Sequence, residues 1–188
     1  GFVRTDENLD DAVKRGLKER TGLGNIFLEQ FHTFGSLKRY EPDVMKTILI
    51  ANNSLGGNEW LLDRFISVAY YALIDYKSVI PKPDHLSDSC TWYPIRKLPK
   101  LILDHKTIVN TAVRTLQENL DKKLIGANLL PARFTMKELQ NVYEAILGEK
   151  LRRTTFQRRM LASDVLVRHE KRYSGGAHKA PYLYSFKK

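Results

Sequence analysis

The sequence predicts an α+β chain in two parts, a mixed strand-and-helix first part and a smaller, strongly basic second part. Three observations carry that expectation. An amphipathic helical pattern and β-branched, aromatic runs share residues 1–124, the mark of a mixed architecture. The net charge of +10 is unevenly placed, because residues 132–188 hold 13 Lys/Arg against five acids, which leaves +2 for the first 131. Residues 134–188 also run helix, helix, strand, glycine-rich loop, strand.

Composition excludes several classes. With 43% hydrophobic residues in 188, the chain can bury a real core, in one large or two small domains. It has no run of about 18 apolar residues, so no membrane partner is expected. Residues 1–20 are charged throughout and show no leader pattern. Cys90 is the sole cysteine, which rules out an internal disulfide and a Cys-rich zinc site and suits a reducing, cytoplasmic setting.

The elements follow in order. From Leu9 the stretch "LDDAVKRGLKERTG" reads as an amphipathic helix stopped by Gly22. "NIFLEQFHTFGSL" reads as a strand or strand pair, and "RFISVAYYALI" (64–74), apolar on both faces, as a buried strand. Between them "PDVMKTILIA" fits one short helix with Val44, Met45, Ile48 and Leu49 on its apolar side, and "NNSLGGN" (52–58) fits only a loop. "CTWYPIRKLP" (90–99) reads as a short strand stopped by Pro94 and Pro99. From Asp104 a helix places Ile108, Ala112, Leu116 and Leu120 at helical spacing. Gly126 and Pro131 mark 125–133 as a linker, dividing the chain into 1–124 and 134–188. No internal repeat or low-complexity tract is present.

The basic part reads most clearly. In "FTMKELQNVYEAILG" (134–148), Thr135 and Glu138 form a capping box, Met136, Leu139, Tyr143, Ile146 and Leu147 make the apolar stripe, and Gly148 ends the helix. A second helix within "RRTTFQRRMLASD" puts Phe156, Met160 and Ser163 on one face and Thr155, Arg158, Arg159 and Ala162 on the other. "VLVRHEKRY", "SGGAHKAP" and "YLYSFKK", with Tyr182, Tyr184 and Phe186 alternating, complete the order of a winged helix-turn-helix. Thr155, Arg158 and Arg159 are then the base-reading candidates, since Arg pairs bidentately with guanine. Arg152, Arg153, Lys171, Arg172 and Lys179 are candidate phosphate contacts, joined by His178 at the wing tip.

The first helix carries a family resemblance. Gly1, Glu7, Arg15, Leu17, Glu19, Gly22 and Leu23 fall in register with the Nudix signature G-x5-E-x7-R-E-U-x-E-E-x-G-U, where U is aliphatic. Together with "SVAYYALI", "WYPIRKLPKLILDH" and the basic tail, the chain resembles the Nudix-related transcriptional regulators of bacteria, which control NAD metabolism or sugar use such as arabinose. The resemblance implies a degenerate Nudix-like α/β/α sandwich over 1–124 that senses a small molecule, and a DNA-binding domain over 134–188. It implies that the first strands of the sandwich are absent from this sequence, and that 38–63 is longer than the matching loop.

It also implies partners: double-stranded operator DNA, a sugar or ADP-ribose-like effector, and a second copy of the chain. Arg15, Arg39 and Arg64 are candidates for phosphate or sugar hydroxyls, with Glu19 beside them and Tyr70 or Trp92 to stack. Asp104 and His105 match a family motif, yet Asp104 is also an ordinary helix N-cap and His105 reads as structural. No catalytic residue, metal ligand or cofactor is expected. Nudix hydrolases hold magnesium with acidic oxygens on this helix, and here Gly16 and Arg20 stand where two of those acids belong. The other histidines show no metal-ligand spacing. The rival reading is an active ADP-ribose-type pyrophosphatase with a basic accessory domain, and Gly16 and Arg20 weigh against it. An RNA-binding reading lacks an exposed aromatic set on a sheet.

Overall fold

The computed structural model describes residues 1–24, 26–54, 56–83, 89–121, 129–173 and 180–187. These form two compact units, one of residues 1–72 and 76–112, the other of residues 73–75 and 113–188.

In the first unit, helix α1 spans Leu9–Thr21. Asp10 and Asp11 in its first turn and Lys18 and Arg20 in its last complement the helix dipole. Gly22 ends it in the left-handed conformation (φ 75°), its N–H donating to the Lys18 carbonyl at 2.8 Å. Strand β1 (Leu28–Phe34) pairs antiparallel with β2 (Ser67–Ala72), from Leu28 opposite Ala72 to Phe34 opposite Ser67, with a register shift between Gln30 and His32. The β2 strand is shorter than the 64–74 run, and Ala69 and Tyr71 are its buried residues. Helix α2 (Pro42–Ala51) lies between them with Pro42 in its first turn, where a missing N–H costs nothing. Of its expected apolar side, Leu49 is buried and Val44 is exposed.

The strand expected over 90–99 is not formed. Ile95–Lys97 is instead a single 3-10 turn. Pro94 and Pro99 lack the N–H groups a ladder needs, and Trp92, Tyr93 and Ile95 remain exposed rather than joining a sheet. The Trp92 indole donates to the Val79 carbonyl at 3.2 Å.

Helix α3 spans His105–Asn119, and from Val113 onward it belongs to the second unit. There, strand β3 (Phe134–Thr135) leads into α4 (Met136–Leu147) and α5 (Arg153–Ala162), followed by β4 (Leu166–Lys171) and β5 (Tyr182–Phe186). The sheet order is β3-β5-β4, antiparallel throughout. Its core is Leu120, Phe134, Leu139, Tyr143, Phe156, Met160 and Tyr184, so alternation along β5 and the helical stripe of α4 converge on one interior.

Local chemistry fixes both helix ends. The Thr135 hydroxyl accepts from the Glu138 N–H at 3.2 Å while the Glu138 carboxylate accepts from the Thr135 N–H at 2.6 Å. Gly148 closes α4 at φ 75°. Beyond it the buried Glu144 holds the turn into α5, accepting from Gln140 (2.8 Å), Lys150 (2.7 Å) and the Leu151 N–H (3.2 Å). These donors, Lys150 first, hold its pKa down at about 2. Thr135 serves two elements, ending β3 and capping α4, so the short strand is hidden in what reads as a helix start. Ser163, expected on the buried face of α5, is its exposed C-cap.

Candidate functional site

The second unit presents a basic face built on α5 and the β4–β5 hairpin. Phe156 and Met160 are buried, so the remaining faces of α5 turn Thr155, Arg158 and Arg159 to solvent as expected. The two arginines differ, however. Arg159 lies 3.7 Å from the Asp121 carboxylate, and its guanidinium sits over the rings of Tyr143 (5.6 Å) and Phe156 (5.7 Å). None of the described contacts engages Arg158. Arg152 and Arg153 are exposed at the start of α5, Arg152 in the N-cap position. A helix N-terminus there adds partial positive charge to theirs.

On the hairpin, Lys171 and Arg168 both lie over the Tyr182 ring, at 5.1 and 4.8 Å. Arg168 was not among the residues the sequence singled out. Its cue was the aromatic Tyr182, whose cross-strand neighbour Lys171 is offset from Arg168 by a register shift that period-2 reading misses. Arg172 donates to Glu138 at 3.0 Å, tying β4 to the capping box of α4. Burial opposes ionisation of Glu138, but the Thr135 N–H and Arg172 together hold it below the usual carboxylate range. Arg133 likewise pairs with Glu170. His178, Lys179 and part of the 125–133 segment lie outside the described residues.

The first unit holds a cavity of about 870 Å³. Phe2, Trp60 and Phe65 form an aromatic cluster on its wall, with Phe2 and Trp60 edge to face at 4.5 Å. Gly16, Tyr70 and His105 also line it. Tyr70 reaches Gln30 at 3.2 Å and Asp10 at 3.5 Å, and burial followed by the Asp10 charge raises its pKa. His105 Nδ1 donates to the Ile102 carbonyl at 2.8 Å, a bond that fixes the start of α3.

Of the expected effector residues, Arg39 and Tyr70 reach the cavity, while Arg15, Glu19 and Arg64 are not among its lining. Arg39 is committed elsewhere in its own fork. It donates to Asp104 (2.9 Å), Ser67 Oγ (2.9 Å) and the carbonyls of Phe34 (2.6 Å) and Phe65 (3.1 Å). Asp104 is therefore the anchor of Arg39. Arg64 donates to the Gly35 carbonyl at 2.6 Å.

Arg15 and Glu19 meet on one side of α1. Arg15 pairs with Glu7 at 2.5 Å and Glu19 at 3.3 Å and donates to the Phe2 carbonyl at 2.9 Å. The Arg15 guanidinium, then the Arg4 N–H, draw the Glu7 pKa down to about 2. This donor set does not fit a magnesium cage. Both motif carboxylates already face one guanidinium, Gly16 offers no oxygen, and no group of three metal-binding side chains converges among the described residues. Nor is any described helix long and apolar enough to cross a membrane.

Comparison with known proteins places these features in context. Residues 126–186 match the NrtR DNA-binding winged helix domain. The ADPR responsive transcriptional repressor NtrR of Acinetobacter baylyi is 32% identical over 190 residues, covering 99% of this chain and 67% of that protein. The crystal structure of Shewanella oneidensis NrtR is 25% identical, with a TM-score of 0.65 over the whole chain and 77% of that one. The same protein complexed with a 27mer DNA gives 27% identity and a TM-score of 0.66, with the same coverage. A MutT/nudix family protein from Enterococcus faecalis is 19% identical over 100% and 73% of the two chains, with a TM-score of 0.58, a likeness of fold alone.

Proposed function

The chain belongs to the NrtR family of Nudix-related transcriptional repressors, and from that membership we propose that it binds operator DNA through residues 134–188 in response to a metabolite held by its Nudix-like part, residues 1–124. The observation that carries the DNA assignment is the winged-helix order β3-α4-α5-β4-β5 with Thr155 and Arg158 exposed on α5. In such a unit the second helix enters the major groove and the hairpin meets the backbone. Arg158 reads a base edge. Arg152, Arg153, Lys171, Lys179 and His178 position the protein on phosphates, and Arg168 joins Lys171 on the hairpin. Arg172 contributes by fixing the hairpin to α4.

The effector is a sugar or nucleotide sugar of the ADP-ribose type. A cavity of about 870 Å³ with Trp60, Phe65 and Tyr70 on its wall suits an adenine or ribose face. Two copies act on a palindromic site, a point that sedimentation of the protein with and without duplex tests directly.

We also assign no hydrolysis to this unit, because Arg15 occupies the two remaining acids of the motif. Incubation with ADP-ribose and magnesium should give no turnover above background. Turnover that magnesium raises and Glu19→Gln abolishes would restore the pyrophosphatase reading.

The central test is linkage. A labelled duplex, selected by the protein from a random library, is titrated with and without ADP-ribose, and thermal melting is followed in parallel. An effector must change both melting and DNA affinity, since the coupling is reciprocal. A metabolite that shifts melting and leaves DNA affinity untouched would remove the sensor assignment.

A further inference from the structure

We propose that Asp121 is a positioning residue for sequence reading: its carboxylate, placed where α3 ends, aims the Arg159 guanidinium at one base of the operator. The inference rests on the reading of α5 as the DNA-contacting helix and goes beyond it, by assigning a specificity role to a residue outside α5.

Three observations meet at this carboxylate. Leu120, next to it, is 3% exposed in the core of the second unit, so the backbone at the end of α3 is fixed. Tyr143, fully buried on α4, lies within range of the same carboxylate. Burial first, and then the Asp121 charge, push the Tyr143 pKa above its ordinary value. The other side of the carboxylate faces Arg159 at 3.7 Å. Core leucine, α4 tyrosine and α5 arginine thus converge on one acid.

The geometry favours aiming over simple ion pairing. An exposed ion pair at this distance adds little stability, and Asp121 and Arg159 keep 64% and 49% of their side chains exposed. What the pair does supply is orientation. Arginine has many rotamers, and a bidentate contact with guanine needs one of them. Here the guanidinium lies over the rings of Tyr143 and Phe156 and faces Asp121, while about half of the Arg159 side chain stays exposed. Preorganisation of this kind lowers the ordering cost on binding. Arg158, with no such buttress among the described residues, contacts DNA without it. An acid beside a polyanion also repels every sequence alike, so Asp121 weakens non-specific binding while supporting the specific site.

The test uses the full 188-residue chain. Asp121→Asn keeps the size and a carbonyl acceptor while removing the charge that faces Arg159. Duplexes are selected from a random library by the unchanged protein and by the variant, and affinities are then measured on the selected site and on a scrambled one. We expect the variant to lose base preference at one position of each half-site and to bind the scrambled duplex as well or better. Its specificity ratio should fall about tenfold, within the range a single bidentate contact supplies. Arg159→Ala should lose preference at the same position.

Equal tightening on both duplexes with an unchanged preference would overturn the proposal, because Asp121 would then merely withhold Arg159. Unchanged preference in both variants, each with the parent melting temperature, would overturn it as well. Absence of DNA binding by the unchanged protein would instead overturn the DNA assignment beneath it.

Discussion

At the scale of single residues, ionisation separates structure from function. Glu144 titrates at about 2 in the folded chain against an ordinary 4.5, so its folded-state pKa is depressed. The stability it supplies is present above about 4.5 and is lost as pH falls towards about 2. Glu144→Gln should therefore lower the melting temperature at neutral pH and flatten its pH dependence across that window, measured by circular dichroism melts. Arg39 gives a second residue-level test. Its guanidinium is nearly buried against Asp104 and the carbonyls of Phe34 and Phe65. Arg39→Ala strands those acceptors and should cost about 3 kcal/mol in chemical denaturation. An arginine at that place in the sequence reads equally as a ligand contact, and only the distance to Asp104, 65 residues away, reveals its structural use.

At the scale of elements, α4 is the most determined part of the chain. Its capping box, stripe and glycine stop were all readable because each depends on residues within four positions of one another. Thr135→Ala should remove the cap and cost about 1 kcal/mol. Gly148→Ala should cost about 1 kcal/mol too, since a Cβ at φ 75° is strained. Both are read as shifts in the denaturation midpoint of the full chain, and a neutral Gly148→Ala would mean that the turn relaxes. The 90–99 stretch shows the opposite case. Its β-branched and aromatic content favours a strand, but a strand exists only when a partner supplies the ladder, and Pro94 and Pro99 withhold their share of it.

At the scale of the whole molecule, charge governs encounter with DNA and geometry governs choice. Raising salt should weaken duplex binding steeply, because each neutralised phosphate releases counterions. Lys171→Ala should weaken selected and scrambled duplexes alike and flatten the salt slope by about one unit. Arg158→Ala should cost roughly 1–3 kcal/mol on the selected duplex and little on the scrambled one. Anisotropy titrations at several salt concentrations separate the two. Identical behaviour of both variants on both duplexes would remove α5 as the reader.

The sequence by itself determined what short-range physics controls. The Gly22 stop of α1, the capping box of α4, the apolar faces of α4 and α5 and the +8 concentration over 132–188 were all legible there, because dihedral preference, helical periodicity and net charge are local or additive. Tertiary structure decided which of several similar arginines has a partner. Arg39 is claimed by Asp104, Arg15 by Glu7 and Glu19, Arg172 by Glu138, and Arg159 by Asp121, whereas Arg158 meets none of these acids. A guanidinium reaches several ångströms in any direction, so its partner is chosen by how the chain folds back on itself, at separations no local pattern encodes.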